Sequence, residues 1–143
     1  MKVLVCGSRH WGDREAIEVM LKWLEDIGYT TVIHGCCGGA DTLAGEIALE
    51  LRMRVEEYPA QWETHGIAAG PIRNKRMLEK GKPSLVLAFH DDIADSKGGT
   101  KDMIGRTFDA NVDFVVITSA KIEEAGLVGM IRNLPSYSDE YPY

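Results

Sequence analysis

Thr30-Thr31-Val32-Ile33-His34-Gly35-Cys36-Cys37-Gly38-Gly39-Ala40-Asp41 is the stretch that decides the fold of this chain. Its first four residues are a short β-branched run, and Ala40, Ala44, Ile47, Ala48 and Leu51 then recur at helical spacing. It reads as a strand, a glycine loop and a helix over Thr42 to about Leu51. A helix start offers backbone N–H groups without intrahelical acceptors and the positive end of the dipole, and glycines let a charged oxygen approach them. That is phosphate-binding geometry, although a tight βα turn with no ligand would look the same in isolation.

The pattern repeats on both sides of this stretch. Upstream, Lys2-Val3-Leu4-Val5-Cys6 is an apolar strand ending at Gly7-Ser8-Arg9, and its hydrophobicity suits the middle of a parallel sheet. Asp13 caps a helix carrying Ile17, Met20, Leu21, Leu24 and Ile27 on one face, with Gly28 as its left-handed stop. Downstream, Arg54 to Tyr58 is too polar to be covered on both faces and belongs at a sheet edge, closed by Pro59. Ala60 to Gly70 lacks clear strand or helix character and reads as a lid or rim, leading into a helix from Pro71 to about Lys80. Ser84 to Phe89 is a second apolar strand, Gly98-Gly99-Thr100 opens another helix, and Val112 to Ile117 is the fifth strand. Beyond Lys121 the signal weakens to a short helix over Leu127 to Leu134 and an acidic, tyrosine-rich tail from Ser136 to Tyr143.

Alternating strands and helices predict an α/β fold, a Rossmann-like, doubly wound, mainly parallel five-stranded sheet in the order 3-2-1-4-5 with helices on both faces. Residues 1–120 form the domain, and 121–143 form an extension that packs on it or is partly disordered. Ligands of such sheets bind over the carboxyl ends of the strands where the winding reverses, here between strands 1 and 4. Gly7 to Arg9, Gly35 to Asp41 and Asp91 to Thr100 all reach that edge.

Composition narrows the partners. At 143 residues a single domain buries about 70 % of its unfolded surface, enough for a sheet covered on both faces. With 16 Lys+Arg against 22 Asp+Glu the formal charge is −6, which disfavours a broad nucleic-acid footprint and makes any anion site local. No apolar run approaches a membrane span, no leader precedes the first strand, and three cysteines make no disulfide framework; the expectation is a cytoplasmic protein without membrane partners.

The ligand-binding candidates are Gly7, Ser8 and Arg9; Gly35, Gly38, Gly39, Ala40 and Asp41; Arg73 and Asn74; and Gly98, Gly99 and Thr100. Arg suits bidentate contact with phosphate. Arg73, Asn74, Lys75 and Arg76 fall where a helix start would normally favour acids, so cations there point to a bound anion. Asp41 has two readings, an N-cap or a ribose contact. Cys36 and Cys37 could be thiolates activated by the helix start or simply small residues in a crowded loop. His10, His34, His65 and His90 lack metal-ligand spacing, so no metal or cofactor is assigned. Trp11 and Trp62 could stack on a base or pack in core and rim.

Gly7-Ser8-Arg9, His34-Gly35 through Asp41 with Ala44, Pro59-Ala60-Gln61-Trp62, Ala69-Gly70-Pro71-Ile72-Arg73-Asn74 with Met77, Ala88-Phe89, and Gly98-Gly99-Thr100 with Met103 together resemble the YspA-like, YpsA-related branch of the SLOG superfamily over residues 2 to 118. The resemblance implies a Rossmann-like fold, a nucleotide or nucleotide-derived ligand and a homo-oligomer, a dimer. The superfamily includes the LOG phosphoribohydrolases, which cleave the N-glycosidic bond of nucleoside 5′-monophosphates and carry Pro-Gly-Gly-x-Gly-Thr-x-x-Glu. Here Gly99-Thr100 is kept, the proline is absent and Met103 stands at the glutamate. Asp102 is one residue early, about 100° around a helix, and an oxocarbenium-like transition state needs a carboxylate beside the ribose. The expected function is a sensor or binding module for a phosphate-bearing nucleotide; the alternative is a LOG-like N-glycosidase using Asp102 or Asp41.

Overall fold

In the computed structural model, which describes residues 1–94 and 98–134, twelve elements follow one another. They are β1 (Lys2–Gly7), α1 (Arg14–Asp26), β2 (Thr31–His34), α2 (Ala40–Glu50), β3 (Arg54–Glu57), α3 (Trp62–His65), a 3₁₀ turn (Gly66–Ala68), α4 (Ala69–Gly81), β4 (Leu85–Phe89), α5 (Gly99–Asp109), β5 (Asp113–Ile117) and α6 (Ser119–Arg132). The sheet order is β3-β2-β1-β4-β5 and every strand pair is parallel. The tail read at 136–143 lies outside the described residues, as do positions 95–97 of the loop read from Asp91 to Thr100.

Side-chain alternation along the central strands builds two cores. Val3, Val5, Val32, Leu85, Leu87 and Phe89 point to one face and meet Ile17, Met20, Leu21 and Leu24 of α1, Ala44, Ile47 and Ala48 of α2, and Met130 and Ile131 of α6. Leu4, Cys6, Ile33, Val86 and Ala88 point to the other, under Met77 of α4 and Met103 of α5. Leu87 is fully buried, and Leu87→Ala would cost about 2–5 kcal/mol through lost transfer energy and the cavity left behind. β3 is an exposed edge, tied to β1 by a 2.6 Å ion pair between Lys2 and Glu56. Among the described residues no helix is long and apolar enough to cross a membrane.

Two stretches depart from the sequence expectation. The rim is helical from Trp62 on, since α3 and the 3₁₀ turn carry the chain into α4, which begins at Ala69 rather than Pro71. None of residues 62–68 is buried, so no apolar periodicity announces the helix. Pro71 still fits because first-turn N–H groups have no intrahelical acceptor. At the C-terminal end α6 starts at Ser119, with the Thr118 hydroxyl accepting from the Lys121 N–H at 3.0 Å, and breaks at Gly126 (φ 72°). Its only buried residues, Met130 and Ile131, lie beyond the break, and Leu134 joins the same core. That is why only the second half shows an apolar repeat.

Candidate functional site

Over the carboxyl ends of β1 and β4 lies a cavity of about 660 Å³. Gly7, Ser8, Arg9, Asp41, Arg73, Asn74, Gly98, Gly99 and Thr100 line it, as does Asp102. Gly35, Gly38, Gly39 and Ala40 do not line it: Gly35 and Ala40 are buried against Arg73 and Gly7, and Gly38 and Gly39 abut the Ser8–Arg9 backbone. The volume is within the usual range for a small-molecule site.

The Gly35–Asp41 loop is closed on itself. Asp41 is not the N-cap; Gly39 holds that position, and the Asp41 carboxylate, inside the first turn of α2, reaches back to accept from the N–H of Gly35 at 3.0 Å and of Cys37 at 3.2 Å. The Ala40 N–H donates to the Ser8 carbonyl at 3.2 Å, and the Thr42 hydroxyl donates to the Cys37 carbonyl at 2.8 Å. Two of the backbone donors expected to hold a phosphate in this loop, at Gly35 and Cys37, are thus met by a carboxylate of the chain itself, and a third, at Cys36, by the His34 imidazole. Burial pushes the Asp41 carboxyl up to about 6, against the opposing pull of the Cys37 N–H, the Arg73 charge and the Gly35 N–H. Gly39 is in the left-handed region (φ 67°), and a Cβ there would collide with the Ser8 carbonyl oxygen and the Arg9 carbonyl group. Its role is to let the β1 and β2 loops touch.

Arg73 joins the loops. Because α4 begins two residues earlier than expected, Arg73 stands in its second turn, and the dipole argument for an anion weakens. Its environment supplies a stronger one. The side chain is only 8 % exposed, yet its Nη1 donates to the Gly35 carbonyl at 2.5 Å and its Nε to the Asn74 amide oxygen at 2.9 Å, with the Cys37 sulfur 3.8 Å from Nη1. Both oxygen acceptors are neutral. A Cβ on Gly35 would strike the guanidinium, so only glycine lets Arg73 lie across the loop. Nη2 is aimed elsewhere, about 3.9 Å from where a Cβ of Gly70 or of Gly99 would stand.

Asn74 carries the connection to α5, its amide nitrogen donating to the Gly99 carbonyl and to the Asp102 carboxylate, both at 3.0 Å. Asp102 also accepts from Arg106 at 2.8 Å. The rotation between positions 102 and 103 puts Asp102 on the pocket side of α5 and Met103 fully buried against the sheet. Gly98 is the N-cap of α5, and it lines the cavity together with Gly99 and Thr100 of the helix's first turn.

Other candidates divide. Arg9 and His10 are exposed at the rim and His90 lies beside them, whereas Lys75 and Arg76 point to solvent. His34 is buried, its Nδ1 accepting from the Cys36 N–H at 3.0 Å, and burial lowers its pKa. Cys36 is not an activated thiolate: partial burial and the Glu57 carboxylate, 3.5 Å from its sulfur, push the thiol up to about 11. Trp11 packs on Phe89 at 5.5 Å between ring centres and donates to the Asp13 carbonyl, so it is core. Trp62 stands in the pocket wall. Cys6, Ile67, Pro71 and Met77 also line the cavity, positions that single-element patterns assign to core or loop. Among the described residues no three His, Cys, Asp or Glu side chains converge as metal ligands.

A family model described as YspA, cpYpsA-related SLOG family matches residues 1–65. Gene 61 protein of Mycobacterium phage D29 is 36 % identical over 95 residues, covering 62 % of this chain and 75 % of that protein. Among solved structures, DNA processing protein A (DprA) from Streptococcus pneumoniae superposes with a TM-score of 0.67 at 17 % identity. That match covers 92 % of this chain and 56 % of the DprA chain, so the protein spans little more than half of that neighbour.

Proposed function

The chain belongs to the YspA, cpYpsA-related SLOG family, and from that premise we propose that it is a binding module, a sensor or sequestering protein, for a phosphate-bearing nucleotide held over the β1–β4 switch point. The observation that carries this reading is Arg73, a buried cation whose hydrogen bonds go to neutral acceptors while Nη2 is directed toward the start of α5. Burying a charge is costly unless a counter-charge offsets it. The Asp41 carboxylate feels the Arg73 charge but is engaged by Gly35 and Cys37. A phosphate seated between Nη2, Ser8 and the N–H groups at Gly99 and Thr100 would supply a charged partner. Calorimetric titration with nucleoside 5′-monophosphates and with the matching nucleosides tests it. The monophosphates should bind and the nucleosides should bind far more weakly; equal affinities would refute the phosphate site.

One observation favours a second reading, N-glycosidase chemistry: the Asp102 carboxylate lines the same cavity. It is engaged by both Asn74 and Arg106, an arrangement better suited to holding α4 against α5 than to stabilising a developing oxocarbenium ion. The binding reading is therefore preferred.

A further inference from the structure

The two walls of the cavity differ in chemistry. Toward α5 they are polar, with Arg73, Gly99 and Thr100; along residues 62–71 they are apolar, with Trp62, Ile67 and Pro71. Trp62 is 55 % exposed, whereas the other two tryptophans of the chain, Trp11 and Trp23, are buried. Trp62 also borders a second cavity, of about 450 Å³, lined by Ala60–Thr64. Leaving a large aromatic uncovered forgoes the burial that would otherwise stabilise it. Its position relative to the anion site is defined through Gly70: the Cη2 edge of the indole lies 3.5 Å, and Arg73 Nη2 lies 3.9 Å, from the point a Gly70 Cβ would occupy. Aromatic surface and guanidinium thus flank one spot on the pocket wall.

We propose that Trp62 is a stacking platform for a nucleobase, so that the pocket takes an intact nucleotide and not a sugar phosphate or free phosphate. The inference rests on the phosphate reading of Arg73 and the α5 start. With the phosphate there, the ribose crosses the wall at Gly70 and the base reaches the indole. Because every base has a π-face, the platform distinguishes a nucleotide from ribose 5-phosphate without selecting one base over another.

The test titrates four ribonucleoside 5′-monophosphates, ribose 5-phosphate and inorganic phosphate into the wild type, Trp62→Phe and Trp62→Ala. Heat and tryptophan fluorescence are followed together. In the wild type the nucleotides should bind about ten- to a hundredfold more tightly than ribose 5-phosphate and quench the emission. Trp62→Phe should keep most of that preference and lose the quench, since the remaining tryptophans are buried. Trp62→Ala should lose the preference while binding ribose 5-phosphate as before. Ribose 5-phosphate matching the nucleotides in the wild type, or Trp62→Ala keeping the preference, overturns the platform and leaves the phosphate site standing. Failure of every phosphorylated probe to bind overturns the phosphate site and the platform with it.

Discussion

The Asp41 carboxylate and the Gly35 N–H, six residues apart in sequence, meet at 3.0 Å inside the glycine loop. An anion built into the chain occupies two of the backbone donors, at Gly35 and Cys37, that an external phosphate would otherwise seek. Among the loops at the switch point, this shifts the expected ligand contacts toward Ser8, Arg73 and the start of α5.

A pH dependence follows. The folded Asp41 carboxyl titrates at about 6, above the 3.8 of a free aspartate. Between those values the folded state therefore binds the extra proton, and stability falls as pH rises through about 6. The scale is on the order of 3 kcal/mol for a shift of this size. Asp41→Asn keeps an oxygen acceptor for both N–H groups and removes the titration. The difference in urea-unfolding free energy between wild type and variant should turn against the wild type from pH 4.5 to pH 7. A difference that stays flat with pH would show that Asp41 is not the titrating group.

At Gly39 a Cβ meets the Ser8 and Arg9 backbone at a positive φ. Gly39→Ala should therefore destabilise the ligand-free fold by about 2 kcal/mol or more, through the left-handed strain and the collision. Its melting temperature should drop by several degrees. An unchanged melting temperature would mean that the β1 and β2 loops separate freely.

Arg73 offers the cleanest probe of the anion site. At a hundredfold excess over its dissociation constant, a ligand specific for the folded state adds about 2.7 kcal/mol, or on the order of 6 to 12 °C in melting temperature for a chain of this length. Arg73→Met retains the aliphatic stem and removes the cation. The shift given by a nucleoside monophosphate should shrink to the small shift given by its nucleoside. A full nucleotide shift in the variant would place the phosphate elsewhere.

Asp102 separates binding from hydrolysis. With Met103 buried at the position of the signature glutamate and Asp102 held by Asn74 and Arg106, incubation with AMP or NAD should release no free base above background, as read by chromatography. Stoichiometric turnover that Asp102→Ala abolishes would establish the N-glycosidase instead.

Much of this architecture was legible in the linear chain because the signals are local. β-Branched and apolar runs of four to six residues, each closed by glycine or a polar loop, mark parallel strands, and their alternation with helical repeats leads to the order 3-2-1-4-5. The rim turns at 62–68 and the first half of α6 were illegible for the opposite reason: neither holds a fully buried residue, Ile122 alone in the latter resting half-buried on the core, and periodicity records only a buried face.

From sequence alone came the sheet, its switch point and the loops that meet there, since strand order and the handedness of crossovers bring loops distant in the chain to one edge. Tertiary structure alone decided what each residue does at that edge. Asp41 turns back into its own loop, Gly39 makes room for the Ser8–Arg9 backbone, Arg73 is buried against the Gly35 carbonyl, and Asp102 faces the pocket while Met103 faces the core. These are directions of side chains packed between elements dozens of residues apart. A hydrogen bond such as that from Arg73 to Gly35, 38 residues away, has no periodicity by which the chain could announce it.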